Sequence, residues 1–485
     1  LKASFDAINA GVHQGNILIN VNTSVVETVT ATLNASGGLS SYTAITIRPT
    51  TQCTISGKIA GALILLNGAD SVMIDGRIGG IGTTQSLTLS NSYDSTVAAA
   101  YVVQFSNAAN RNTIQYIICE GLGQEKFPNA AIVGQGSQNN KIDNCEIKPV
   151  GGGLLRSGIG SVDTVTNNLI HDFYGFPSTY NIIGSAGIGS CLFVKGNSLY
   201  HTDTILAPVL NYAVDFISGG NFVINNYIGG SAPLCGGNPL VYYSTNSNIF
   251  VRGISIFSNL SPLIDSNVIS NIRVITSSPN FGYFQAIRYG TAGSNVPHAG
   301  ALIKNNLVGS MTNTANIVIE GGSMAGIDVS GGAFVSKINI ENNSMGGMVA
   351  NSGLPSNYWL GGIFLSTFDS AIIKNNTIGG IAANSIRYAP EARDFCGITI
   401  EQAKKKSKIE CHGNIIRNVS CKFSATGVNT LNGIYSSSIG NDSSHRWFYS
   451  NHIYNLFAQK NNGDVFLNGI VSTPSIGGSS VINNI

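Results

Sequence analysis

The residues best suited to chemistry in this 485-residue chain are aromatic. Tyr242 and Tyr243, Tyr283 with Phe284, Tyr358 with Trp359, and Arg387 with Tyr388 fall in segments that interrupt a regular pattern. Aromatic faces beside polar groups suit sugar rings, whose C–H faces pack on π-systems. The same side chains would equally serve to cover an apolar flank. A further cluster is His445-Arg-Trp-Phe-Tyr449. With Phe448 facing a core, His445, Trp447 and Tyr449 share the outer side of a strand, open to a ligand or to a covering loop. The densest acidic group is Glu391-Ala-Arg-Asp394, close to Arg387, and no Asp-Asp pair occurs. A Ser-His-Asp site has no nucleophile-elbow sequence behind it. Eight cysteines include no C-x-x-C and no His at ligand spacing, which excludes zinc and leaves no metal or cofactor site in view. Lys404-Lys-Lys406 with Lys408 reads as a solvated turn between two strands.

A repeat positions these residues. An aliphatic residue, a variable residue, usually Asn-Asn, another variable residue and a second aliphatic recur. Clear copies are Val165-Thr-Asn-Asn-Leu-Ile170, Val223-Ile-Asn-Asn-Tyr-Ile228, Ile303-Lys-Asn-Asn-Leu-Val308, Ile340-Glu-Asn-Asn-Ser-Met345 and Ile373-Lys-Asn-Asn-Thr-Ile378. Degenerate copies lie at 194–199, 264–269, 411–416 and 448–453, and the last residues, Val481-Ile-Asn-Asn-Ile485, fall inside another. The second Asn forms a series: Asn168, Asn197, Asn226, Asn267, Asn306, Asn343, Asn376, Asn414, Asn451 and Asn484. Cys145, Ile117 and Gly76 continue it backwards. A small residue followed by Ile precedes most copies. The isoleucines of Gly326-Ile327, Gly362-Ile363, Gly397-Ile398, Gly433-Ile434 and Gly469-Ile470 are 36, 35, 36 and 36 residues apart.

Helical repeats share that period, so residue type decides. The motif cores are β-branched or aromatic, alternate apolar with polar, and carry no 3.6-residue period. Neither a Leu framework for a horseshoe nor a blade signature for a propeller is present. The chain reads as an all-β parallel β-helix, each repeat one coil and each strand paired with its counterpart a coil on.

Composition agrees. Charged residues are 10% of the chain, against about 25% in ordinary soluble proteins, and glycine is 58 of 485. Lys+Arg 26 against Asp+Glu 24 leaves a net charge of +2, no electrostatic footprint for nucleic acid. At 43% hydrophobic the chain can bury a large core. Its longest apolar run, 59–66, is far short of the roughly 20 residues that span a bilayer. Coils stack about 4.8 Å apart, so an inward charge would meet its like without solvent. Asparagine escapes this, because its amide both donates and accepts. A column of Asn therefore forms a hydrogen-bonded ladder, and Asn also tolerates the left-handed bend a corner needs.

The variable residue before the Asn pair should point outward. In successive coils it is Asp265, Lys304, Glu341, Lys374 and His412, which sets opposite charges about 5 Å apart up the outside. From Gly229 the coils lengthen from 23–29 to 33–41 residues, and the aromatic pairs fall in the added segments, near one flank.

The Asn-Asn-x-Ile ladder and Gly-Ile strand starts resemble the right-handed parallel β-helix repeat proteins. Residues 1–80 are similar to the first module of long secreted or surface-displayed bacterial proteins of this class. The phrases that carry the likeness are Phe5-Asp-Ala-Ile-Asn-Ala-Gly11, Ala31-Thr-Leu-Asn-Ala-Ser36, Leu66-Asn-Gly-Ala-Asp70 and Ile74-Asp-Gly-Arg77. The resemblance covers essentially the whole chain and is specific for fold. It implies the right-handed winding, an adhesin-like role, and export to the bacterial cell surface by the cell's secretion machinery. Enzymes on this fold need clustered acids, for calcium or for acid–base work. The Asn-Thr-Asp, Asp-Asp and Arg-Ile-Lys signatures of galacturonase-type β-helices are absent, as is the Trp-x-Asp-His pattern of pectate lyases.

Leu1, Phe5, Ile8 and Val12 share one face of a short helix ending near Gly11. With strands near 17–26 and 44–48 it forms an expected cap over residues 1–50, which covers the first coil's open edge. Residues 51–485 are then the β-helix, cut within a repeat, so further repeats or domains of the same chain past Ile485, or a partner over the bare edge, are expected. About thirteen coils give a rod of roughly 60 Å. The functional expectation is a non-catalytic extracellular rod, part of a larger bacterial surface adhesin or filament. It would bind a polysaccharide or cell-surface glycan through Tyr242, Tyr243, Tyr283, Tyr358, Trp359, Arg387, Tyr388 and Trp447. The alternative is a polysaccharide lyase or glycoside hydrolase, whose mark would be three carboxylates, or two with Lys or Arg, converging in one groove.

Overall fold

The two residues of each Asn-Asn pair do different work. In the computed structural model the first bends the chain: φ is 55° at Asn305, 57° at Asn342 and 56° at Asn375. Asn reaches this left-handed region at less cost than most residues, because its short amide bonds locally. Where the pair is degenerate, Ser266, Gly413 and Ser450 take the bend, with φ of 57°, 64° and 54°. The second Asn turns inward and joins the ladder. The structure describes residues 1–94, 100–121, 130–148, 156–157, 162–173, 179–185, 191–206, 212–218, 222–245, 248–256, 261–277, 282–290, 300–330, 335–351, 361–366, 368–389, 395–401, 403–423, 429–437, 444–460, 464–473 and 479–485.

The chain divides into two compact units, residues 1–202 with 216–222 and residues 203–215 with 223–485. One coil of the second unit shows the plan. Strand Ala301–Lys304 leads into the ladder corner, and Leu307–Gly309 and Ile317–Glu320 leave it. Gly322–Val329 then forms a third side before Val335–Glu341 starts the next coil. Each strand pairs in parallel with its counterpart: Ile303 with Ile340, Val308 with Met345, Ile319 with Ala350, and Ile327 with Ile363. Three parallel sheets result: one before the ladder, one after it, and a third. The first unit follows the same plan, with Ala31–Asn34, Gly61–Asn67, Ala100–Ser106 and Ala130–Gly134 as a four-stranded third side. Both units are parallel β-helices.

Inward positions stack like on like. Ile264, Ile303, Ile340, Ile373, Cys411 and Phe448 form one fully buried column, each Ile adding about 1.5–3 kcal/mol by leaving water. Beside it runs the ladder. The side-chain amide of each Asn donates to Oδ1 of the next, at 2.9 Å from Asn267 to Asn306 and from Asn306 to Asn343. The distances are 3.0 Å from Asn343 to Asn376 and from Asn376 to Asn414, and 2.9 Å from Asn414 to Asn451 and Asn451 to Asn484. Asn226 donates to Asn267 at 3.0 Å, and in the first unit Asn168 donates to Asn197 at 2.9 Å. Cys145 occupies the slot below Asn168, its backbone N–H donating to that Oδ1. Gly76 does not share it: Asp75 pairs with Gln115, so Gly76 falls level with Tyr116, one place before Ile117.

The glycine of the Gly-Ile signature answers to space. A Cβ on Gly397 would stand 2.6 Å from the carbonyl oxygen of Gly433 and 2.9 Å from Ile416, closer than any real side chain packs. On the outside the expected charge column forms, with Lys304 3.5 Å from Asp265 and Lys374 2.9 Å from Glu341.

The helix spans Lys2–Asn9 and packs Phe5 and Ile8, both buried, onto strand Ala31–Asn34. Asn9 donates to Thr32 O and accepts from Asn34 N, both at 2.9 Å, which pins the helix end. The helix stops short of Val12, which is 68% exposed. The expected strand at 17–26 is two strands, Gly15–Val21 and Val25–Glu27, with a corner between them. These and Ala31–Asn34 already pair in parallel with Tyr42–Pro49, Cys53–Gly57 and Gly61–Asn67. Residue 50 therefore falls inside a coil. Lys404–Lys406 are not in a turn: they lie in strand Ala403–His412, where the register shifts between the Phe368–Ala403 and Ser370–Lys408 pairs. Cys53, Cys119, Cys145, Cys235, Cys396, Cys411 and Cys421 are not in disulfides. Among the described residues no helix is long and apolar enough to cross a membrane.

Candidate carbohydrate-binding site

Strand His445–Tyr449 alternates as its sequence predicts. Arg446 and Phe448 are buried, whereas His445 is exposed and Trp447 and Tyr449 are half-buried on the outer face of the sheet before the ladder. Phe448 anchors this register, because it continues the aliphatic column through Cys411. One coil earlier, Lys408 pairs with His445, Glu410 with Trp447, and His412 with Tyr449. One coil before that, Lys374 lies beside His412, and one coil later Ser480 lies beside Trp447.

The rings are organised. His412 stacks on Tyr449 with centroids 4.5 Å apart and planes 6° from parallel, and His445 stacks beside Trp447 at 5.9 Å and 24°. Burial holds the His412 imidazole below its ordinary pKa and Lys374 adds to this, against the pull of Glu410. The His412–Tyr449 stack places ring faces at the centre of this surface. Glu410 supplies an acceptor and Lys374 and Lys408 supply donors around it. Aromatic faces rimmed by such groups have the chemistry to pack on the C–H face of a sugar and to bond hydroxyls.

Among the described residues, the other expected aromatics do not join this face or one another. Tyr242 is fully buried and Tyr243 exposed, because both sit in strand Leu240–Ser244, where alternation sends one side chain in and one out. Tyr388 is buried in strand Ile386–Ala389, with Arg387 on the opposite, exposed side. Tyr283 is 7% exposed and packs edge to face with Phe250 at 6.4 Å on the third sheet. Tyr358 and Trp359 lie outside the described residues, as do Glu391 and Asp394. The expected aromatic flank is therefore absent among the described residues. The described pairs occupy strands, where period two separates them.

A polar cluster that the repeat conceals lies on the outer face of the third sheet. Arg252 donates to Asp215 at 3.0 Å and to Gln285 at 2.9 Å, and Gln285 donates to Asp328. Arg288 lies beside Asp328 in the paired strand. Burial pushes the Asp215 carboxyl up against the pull of Arg252, and pushes Asp328 up against Ser330, Arg288 and Gln285. The signal was present. Aligned on Gly253-Ile254, Ala286-Ile287 and Gly326-Ile327, the flanking positions read Arg252 and Ser255, Gln285 and Arg288, Ala325 and Asp328. These residues stand in successive coils, and the two acids, Asp215 and Asp328, are three coils apart, so no acids cluster along the sequence. Among the described residues no three His, Cys, Asp or Glu side chains are arranged to hold a metal ion.

No protein-family model matches the chain, and no curated protein proves similar to it. Among solved structures it is similar to a mannuronic acid specific polysaccharide family 6 lyase from human gut microbiota, at 11% identity and a TM-score of 0.31, covering 84% of this chain and 86% of that one. It is also similar to the mannuronan C-5 epimerase A-module of Azotobacter vinelandii, at 10% identity and a TM-score of 0.28, covering 98% and 94%. A third similar structure is the surface protein and adhesin PfbA of Streptococcus pneumoniae, at 11% identity and a TM-score of 0.22, covering 100% and 95%. At this level of similarity none of the three bears on what this chain does.

Proposed function

We propose that this chain is a glycan-binding β-helix of a secreted or surface-displayed bacterial protein, of adhesin or filament type, and that it holds polysaccharide on the Trp447 face. The observation that carries the reading is the pair of ring stacks, His412 on Tyr449 and His445 beside Trp447, with Glu410 and Lys374 around them. Such a face gives modest affinity per sugar and gains by repetition along a chain. Binding to immobilised polysaccharides of varied composition tests it. Trp447→Ala should weaken binding about ten-fold, with the β-sheet circular dichroism unchanged; unaltered binding by a folded variant removes this face from consideration.

Cleavage of the bound glycan is a second reading. It is favoured by Asp215 and Asp328, two carboxyls pushed up by burial beside guanidinium groups, as acid–base groups are. New reducing or unsaturated chain ends after incubation with polysaccharide, lost in Asp328→Asn, would support it. Polysaccharide of unchanged length and end content would leave binding alone.

A further inference from the structure

We propose that the third-sheet cluster is a second saccharide site, built to take the hydroxyl groups of an uncharged sugar. This rests on the glycan-binding reading and goes beyond it, because the cluster is a different sheet's face and a different chemistry from the Trp447 stacks. Three features carry it. The cluster is balanced: Asp215 and Asp328 against Arg252 and Arg288, with Gln285 between them, so it offers no net field to a charged sugar. Half-buried Arg252 and Arg288 and buried Asp215, Gln285 and Asp328 place donors and acceptors side by side across successive coils. And it is incomplete. Asp328, 6% exposed, has its Oδ2 bonded by Gln285, and no hydrogen bond of sound geometry reaches its Oδ1, although the Ser330 side chain draws on the carboxyl. A buried carboxylate oxygen without a donor is costly. A hydroxyl would satisfy it and an anionic group would be repelled by it. Phe250 and Tyr283, edge to face two residues along the same strands, supply an apolar wall for the sugar ring.

The test uses the full chain carrying Trp447→Ala and Tyr449→Ala, so that the first face is removed and its failure stays separate. Cellotetraose, mannotetraose and a tetragalacturonate are titrated by calorimetry. At least one neutral tetrasaccharide should bind, with an affinity that changes less than about two-fold when salt rises from roughly 50 to 500 mM. Asp328→Asn should lower that affinity about ten-fold, since the amide keeps the shape but halves the acceptors, and Phe250→Ala should lower it as well. Thermal melts establish that each variant is folded. Should Asp328→Asn unfold, the Phe250→Ala result decides. Binding by the tetragalacturonate alone, binding by none of the three sugars, or a neutral affinity indifferent to these substitutions would overturn the proposal.

Discussion

The backbone N–H of Asn140 donates to Asp163 Oδ1 at 2.8 Å, so a second, shorter ladder in the first unit ends on a carboxylate. Its earlier rungs are amides: Asn112 N donates to Asn140 Oδ1 at 3.0 Å, and Val72 N to Asn112 Oδ1 at 2.9 Å. Asp163 is 1% exposed, and its Oδ2 has no partner. Burial raises its pKa to about 6 despite the bonds from Asn140.

That carboxylate sets a pH dependence. An unfolded Asp titrates near 4, so between about pH 4 and 6 the folded chain holds a proton that the unfolded chain has lost. The contribution is fully present below pH 4 and declines as pH rises to 6, by about 2–3 kcal/mol. Asp163→Asn keeps the acceptor and removes the charge. It should be more stable than wild type at pH 7 by about that amount and equal to it at pH 4. Urea unfolding at the two pH values measures this, and equal midpoints at pH 7 would refute it.

Asn343 and Asn305 should respond in opposite ways. Asn306 donates both its backbone and side-chain N–H to Asn343 Oδ1, and Asn343 donates to Asn376 Oδ1 and Ile303 O. Asn343→Ala strands two buried donors and should cost about 3 kcal/mol or more. Asn305 contributes mainly its left-handed backbone, so Asn305→Gly should be near neutral and Asn305→Val should cost about 1–2 kcal/mol. Equal losses at the two positions in denaturant titrations would refute this division of work.

The charge column is a weaker device. Lys374 and Glu341 are 2.9 Å apart on the surface, with side chains 35% and 18% exposed. Lys374→Ala should cost less than about 1 kcal/mol, and less still at high salt. A loss as large as that of Asn343→Ala would mean that the column fixes register.

The ladder was legible because Asn is one of few residues that pairs with itself in a dry column, so selection repeats it at a fixed spacing. The Gly-Ile signature was legible for a similar reason, since the coil above Gly397 leaves no room for a Cβ. Asp163 was not, because a carboxylate standing in for an amide breaks the repeat that identifies the slot. Arg252, Gln285 and Asp328 were not, because each stands alone in its own coil and only register brings them together. Tyr242 and Tyr243 misled, because adjacent aromatics in a strand face opposite sides.

His171 gives the opposite pH limb. Its Nδ1 lies 2.8 Å from Asp172 Oδ2 and its Nε2 lies 3.2 Å from Glu146 Oε1, and the ring stacks on Tyr200 at 4.7 Å. Burial raises Asp172, but hydrogen bonds from His171 and Thr202 outweigh it and hold the carboxyl well below its usual range. Glu146 is likewise lowered, by Lys148 and His171, against burial. Depressed carboxyls stabilise the fold above their unfolded values near 4, and that contribution disappears as pH falls through the folded ones. His171→Phe keeps the stack and removes both bonds, so acid unfolding should begin at a higher pH, with a loss of about 1–3 kcal/mol at pH 7. The two limbs are separable. Asp163 lowers stability as pH rises from 4 to 6, and the His171 cluster lowers it as pH falls below 4, so wild type should be most stable near pH 4. Circular dichroism from pH 2 to 7 should show Asp163→Asn reducing only the upper limb, which Asp215 and Asp328 share, and His171→Phe shifting only the lower one. If either substitution moved the other limb, the two sites would be coupled and these assignments would fail.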